Sequence, residues 1–221
     1  MCIMNKKTLP IATGLFAIII VCLSAGFRGN RGYFEGKITY RNEYIIKNKK
    51  VDSVTLAKAF GKTATLLFKN GNYLERYDDG SMMEQLYNRH DNKVYIKQDE
   101  SDTLYWFDCG IQGQKMLKFE IIPHEEKILG IDCDELVTYY KNKTVSFYFN
   151  PDTLNINPEW YKEFTAYNKH FNTGKMKSLY LKYKIEYPEF TVTVTATSIT
   201  NQVISDSLFS VPKSKILIER Q

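Results

Sequence analysis

The sequence predicts a mainly β fold, an antiparallel sheet with an apolar face and a helix laid across it, and three observations predict it. Residues 179–197 alternate between apolar and polar side chains around a turn at Pro188 and Glu189, the pattern of two strands that each bury one side. Short apolar runs recur from residue 33 to residue 149, separated by Gly, Asn, Asp and Pro clusters too short for the crossover a parallel pair needs. Residues 157–170 break this rhythm with helix signals.

Taken in order, the first strand is expected over residues 33–46, with Phe34, Gly36, Ile38 and Tyr40 facing one way and Glu35, Lys37, Thr39 and Arg41 the other. Asp52 can cap a short helix to residue 60, which Gly61 ends. Residues 63–69 and 73–77 flank Asn70, Gly71 and Asn72, residues that accept positive φ, so they read as a hairpin. Strands over residues 83–89, 93–97 and 103–108 continue the meander. The next covers residues 116–122 and is expected to stop at Pro123; residues 135–140 and 144–149 follow.

Asn157 can then cap a helix, Pro158 suits its first position and Glu159 complements its positive end, so a helix is expected to about His170. Trp160, Phe164, Tyr167 and Phe171 would form one aromatic stripe, with Lys162, Glu163 and Lys169 pointing mostly away. The closing hairpin places Leu179, Leu181, Tyr183, Ile185 and Tyr187 on its apolar side with Phe190, Val192, Val194 and Ala196. A helix just before that hairpin is well placed to cover a curved sheet.

The first residues read as an export signal. Lys6 and Lys7 precede an apolar stretch over residues 15–23, then small Ser24, Ala25 and Gly26, and the run is short of the roughly 20 residues that cross a bilayer. The expected organisation is a signal peptide over residues 1–25 and a single domain over residues 26–221. Lipoprotein anchoring through Cys22 is disfavoured, because Val21 stands where a small residue is needed. Removal of the leader takes Cys2 and Cys22 and leaves Cys109 and Cys133, which can pair only with each other. That bridge would contribute about 3 kcal/mol through the unfolded state; the alternative is two buried thiols.

With 30 basic and 25 acidic side chains, and Lys6 and Lys7 removed, the exported part carries about +3. This charge, densest at Lys47, Lys49 and Lys50, is too mild to imply nucleic acid.

Three strings carry a family resemblance: Gly36-Lys37-Ile38-Thr39-Tyr40, Lys127-Ile128-Leu129-Gly130-Ile131-Asp132-Cys133, and Asp206-Ser207-Leu208-Phe209-Ser210-Val211-Pro212. Together they resemble exported proteins of a Bacteroidota type related to the LolA-like lipoprotein-carrier and outer-membrane lipoprotein-sorting superfamily. The resemblance implies an incompletely closed antiparallel β-barrel with one or two helices across its mouth, an apolar interior that receives acyl chains, and a place in the periplasm or at the outer membrane. No catalytic motif comes with it.

The residues themselves point away from catalysis. His124, Glu125, Glu126, Asp132, Cys133 and Asp134 cluster around Gly130 without a metal-ligand spacing. Asn172-Thr173-Gly174-Lys175 lacks the rest of a phosphate loop, and there is no Gly-x-Ser-x-Gly elbow. The expectation is a noncatalytic protein with no cofactor. Its remaining lead is 16 Tyr, 13 Phe and 2 Trp, of which Trp106, Trp160, Tyr161 and Phe164 are the candidate ligand contacts. The expected partner is a lipid or a lipoprotein acyl chain; the alternative is a scaffold module with a filled core that recruits another envelope protein.

Overall fold

The computed structural model describes residues 32–48, 51–78, 80–98, 102–111, 113–211 and 215–220. The leader at residues 1–25, with Cys2 and Cys22, lies outside the described residues. Those described form one sheet of twelve strands: β1 (Gly36–Ile46), β2 (Thr63–Lys69), β3 (Asn72–Tyr77), β4 (Glu84–Asn88), β5 (Lys93–Lys97), β6 (Thr103–Asp108), β7 (Lys118–Ile128), β8 (Ile131–Tyr139), β9 (Thr144–Phe149), β10 (Tyr180–Glu186), β11 (Phe190–Asn201) and β12 (Ile216–Glu219). β1 sits in the middle, with the meander β2 to β6 on one side and β11 back to β7 on the other. Neighbours are antiparallel except β12, which lies parallel on β6.

Connectivity forces this sheet to curl. β6 and β7 stand ten strand spacings apart in the sheet order, about 48 Å if the sheet were flat. The chain that joins them, residues 109–117, reaches at most about 35 Å. The two ends must therefore approach each other, and because β12 and β7 share no ladder the barrel stays open between them.

Local chemistry sets the elements much as expected. Helix α1 (Ser53–Phe60) begins at Asp52, whose carboxylate accepts from the Val54 and Thr55 amides, and ends at Gly61 with φ 72°. The β2–β3 turn uses Asn70 at φ 48° and Gly71 at φ 84°, the left-handed pair that matches strand twist. β7 departs from expectation by running past Pro123 to Ile128. It is an edge strand, where a missing amide hydrogen costs no ladder bond, and the register shifts between Ile122 and Glu126 around His124 at φ 53°.

The sheet buries both faces along β2 to β5. Ile38, Tyr40, Ala64, Leu66, Phe68, Tyr87 and Val94 fill the concave core. Leu67, Leu74, Leu86 and Tyr95, one residue out of phase, form a second core on the convex face. The C-terminal segment covers that face with Ile204 and Phe209. It is tied down by Lys69, whose ammonium donates to Ile204 O at 2.8 Å and pairs with Asp206 at 3.0 Å, and by Asn88 donating to Phe209 O at 3.1 Å.

The expected Cys109–Cys133 disulfide is not formed; both are free, buried thiols. Cys109 follows β6 and Cys133 lies in β8. Each is held by its own surroundings: the Cys109 amide donates to Asn92 O and its carbonyl accepts from Ala166 N, while the Cys133 thiol donates to Ile131 O. Burial pushes the Cys109 thiol up to about 12 and that of Cys133 to about 11.

Candidate functional site

The segment expected as one helix over residues 157–170 is instead a folded flap. Asn157 does cap, accepting from Glu159 N, and Pro158 opens the turn, but the 3₁₀ turn Pro158–Tyr161 soon ends. A second 3₁₀ turn, Ala166–Asn168, leads into α2 (Lys169–Met176) through Tyr167 at φ 55° and Asn168 at φ 54°. Tertiary hydrogen bonds override the helix. Ala166 N donates to Cys109 O at 2.9 Å, the Thr165 hydroxyl to Ile111 O at 3.0 Å, and the Asn168 amide to Gln114 O at 3.0 Å. The flap is thus stitched to the β6–β7 connection. Gly113 permits the approach, since a Cβ there would lie 2.9 Å from Thr165 O.

Beneath the flap lies a cavity of about 710 Å³. Its walls come from alternating positions of facing strands: Leu66 and Phe68 on β2, Tyr73, Glu75 and Tyr77 on β3, Val145 and Phe147 on β9, Tyr183 and Ile185 on β10. Tyr161, Phe164, Ala166 and Tyr167 close it from the flap, and Lys169 and Asn172 from α2. A register shift between Tyr180 and Lys182 turns Tyr180 inward as well, edge-on to Tyr183 at 5.1 Å.

Of the aromatic residues singled out from sequence, Tyr161 and Phe164 line this cavity. Both are buried against Tyr87, at 5.6 Å and 4.8 Å between ring centroids. Trp160 is placed on the outer side of the flap, against Tyr33, Phe68 and the Gly71 turn, where it borders a separate hollow of about 590 Å³. Trp106 is on the convex face, packed with the second core, its ring under the Lys93 ammonium at 3.6 Å.

Sequence reasoning missed the polar groups of the cavity. Glu75 is buried and accepts from the Tyr77 hydroxyl at 2.7 Å, and burial raises its carboxyl above the usual range. Its signal was present: an acid in phase with Tyr73 and Tyr77. Lys169, expected to point away, faces the cavity because the left-handed kink at Tyr167 and Asn168 resets the phase of the chain. Burial lowers its ammonium to about 8, a fall that the Glu75 charge partly opposes. Lys143 is likewise lowered by burial. Arg220 reaches the lining over the Tyr105 ring at 4.7 Å.

Two buried polar atoms of the lining residues have no hydrogen-bond partner among the described residues, Tyr161 Oη and Asn172 Oδ1. Both atoms are closed to water, so each bears the cost of burial without a hydrogen bond. His90, His124 and His170 are all exposed, and none lines the cavity.

No protein-family model matches the chain. No curated protein matches it either. Among solved structures it is similar to PNGF-II, at 16% identity and a TM-score of 0.47 over 85% of this chain, which spans 32% of that one. It is also similar to the Mycobacterium tuberculosis lipoprotein LppX (10% identity, TM-score 0.36, 78% of this chain and 90% of that one). A third is a putative outer-membrane lipoprotein-sorting protein domain from Vibrio parahaemolyticus (9%, 0.34, 81% and 91%). Scores and identities are low, and it is the chemistry of the cavity that speaks for a ligand.

Proposed function

We propose that this chain is a noncatalytic, exported cell-envelope protein that holds a lipid or another apolar ligand in its half-barrel. The observation that carries the reading is the half-open cavity of about 710 Å³ between the sheet and the flap, a volume within the usual range for small-molecule sites. Its aromatic and aliphatic walls would take alkyl surface out of water at roughly 25 cal/mol per Å², so covering about 300 Å² of a chain supplies about 7 kcal/mol before ordering costs.

Two competing readings fit less well. A scaffold module with a filled core has no use for the open volume. A hydrolase would need a nucleophile and a base converging in the cleft, whereas the lining holds one carboxylate, Glu75, and no His, Ser, Thr or Cys among the described residues. Export and an envelope location rest on the leader-like residues 1–25, and the acyl chain of a lipoprotein is one ligand of the required kind.

Native mass spectrometry of protein purified without detergent tests the reading, followed by delipidation and incubation with palmitate or hexadecanol. The expected result is a bound mass in the 200–400 Da range, or stoichiometric uptake of one molecule after delipidation, at about the ligand size that the cavity accepts. Protein that is empty as isolated and takes up neither probe would contradict it.

A further inference from the structure

Resting on the reading of the cavity as a lipid site, we propose that its occupant is a single-chain amphiphile whose anionic head is held inside by Lys169, with the tail along the aromatic wall. The charge of the lining points this way. Lys143, Lys169 and Arg220 face one acid, Glu75, which leaves a formal excess of two positive charges. Glu75 is already engaged by the Tyr77 hydroxyl.

Lys169 is the cation placed for the task. It forms no ion pair among the described residues. Its ammonium rests 5.1 Å from the Tyr161 ring centroid and 5.8 Å from that of Tyr73. Desolvation without a carboxylate in contact is what depresses its proton affinity, and an anion drawn into the cavity would restore it. The fully buried Tyr161 ring forms the wall beneath this ammonium and holds it at the cavity surface.

Size favours one chain, since a walled volume of about 710 Å³ is that of a small-molecule site and palmitate, with about 18 non-hydrogen atoms, is a ligand of that class. Carboxylate and phosphate heads share the required chemistry.

The test measures equilibrium binding of palmitate, hexadecyl phosphate and hexadecanol to delipidated protein at pH 7, for the wild type, Lys169→Met and Lys169→Arg. A charge-assisted bond predicts that at least one anion binds the wild type roughly ten- to hundredfold more tightly than the alcohol. The better of the two anions identifies the head. Lys169→Met is expected to erase that advantage with little change for the alcohol, and Lys169→Arg, which keeps the charge, to retain most of it. Equal binding of anions and alcohol by the wild type, or an advantage that survives in Lys169→Met, would overturn the assignment of the head while leaving the lipid site intact. Failure of all three probes to bind would overturn both.

Discussion

Replacing Tyr161 by Phe should stabilise the empty protein, the reverse of what truncating a buried polar side chain usually does. The Tyr161 ring is fully buried, stacked at 5.6 Å on Tyr87 and 6.2 Å from Phe164, and Phe preserves those contacts. What the change removes is a hydroxyl with no bonding partner among the described residues. Leaving such a group buried and unpaired costs about 1–3 kcal/mol, so its removal should recover an amount of that order. For a domain of this size each kcal/mol corresponds to roughly 2–4 °C in Tm. Scanning calorimetry on delipidated wild type and variant at pH 7 should show a rise of at least about 2 °C. A fall equivalent to 1 kcal/mol or more would mean that the hydroxyl is bonded in the empty state, and the argument from an unused donor would fail.

Three further outcomes follow from the same geometry. Phe164→Ala removes a ring that is 2% exposed and packed at 4.8 Å on Tyr87; urea denaturation should show a loss of about 3 kcal/mol, at the low end for such truncations because one side already faces the cavity. Cys109 and Cys133, free and with thiols raised to about 12 and 11 by burial, should resist a thiol reagent in the folded state and both react on unfolding, with Tm unchanged by reductant. The preference for an anionic over a neutral chain should hold near pH 7 and weaken as pH rises through about 8, by at most tenfold per unit. The sign follows because a bound anion raises the Lys169 value, so binding takes up a proton in that window. Of the other groups that act on this ammonium or touch it, Tyr73, Tyr161 and Cys109 ionise above the window, and burial raises the Glu75 carboxyl.

Much of the scaffold was legible because local rules decide it. The Asp52 cap, the Gly61 stop and the Asn70-Gly71 turn need only neighbouring residues, and the alternation of β10 and β11 needs only one buried face. Reading failed where a distant partner decides. Pro123 ends a central strand but not an edge strand, and β7 is an edge only because of the sheet order. The consecutive Leu66, Leu67 and Phe68 carried the information that β2 is covered on both faces, without saying that the C-terminal segment does the covering.

The site was the least legible part. An uninterrupted helix over residues 157–170 sets Trp160 on the inner stripe and turns Lys169 out. The bonds from Thr165, Ala166 and Asn168 to the β6–β7 connection break that helix and exchange the two. Tyr161 and Phe164, three apart and on either side of the 3₁₀ end, reach the cavity in both descriptions.

The most direct measurement of the central claim is a crystal structure of the protein saturated with a fatty acid brominated at its terminal carbon. The bromine should give an anomalous peak inside the cavity, near Phe164 and Tyr183, with the carboxylate against Lys169. A bromine peak on the outer surface, for example along the exposed Phe119 and Ile121 of β7, or a cavity collapsed to side-chain contact, would contradict it.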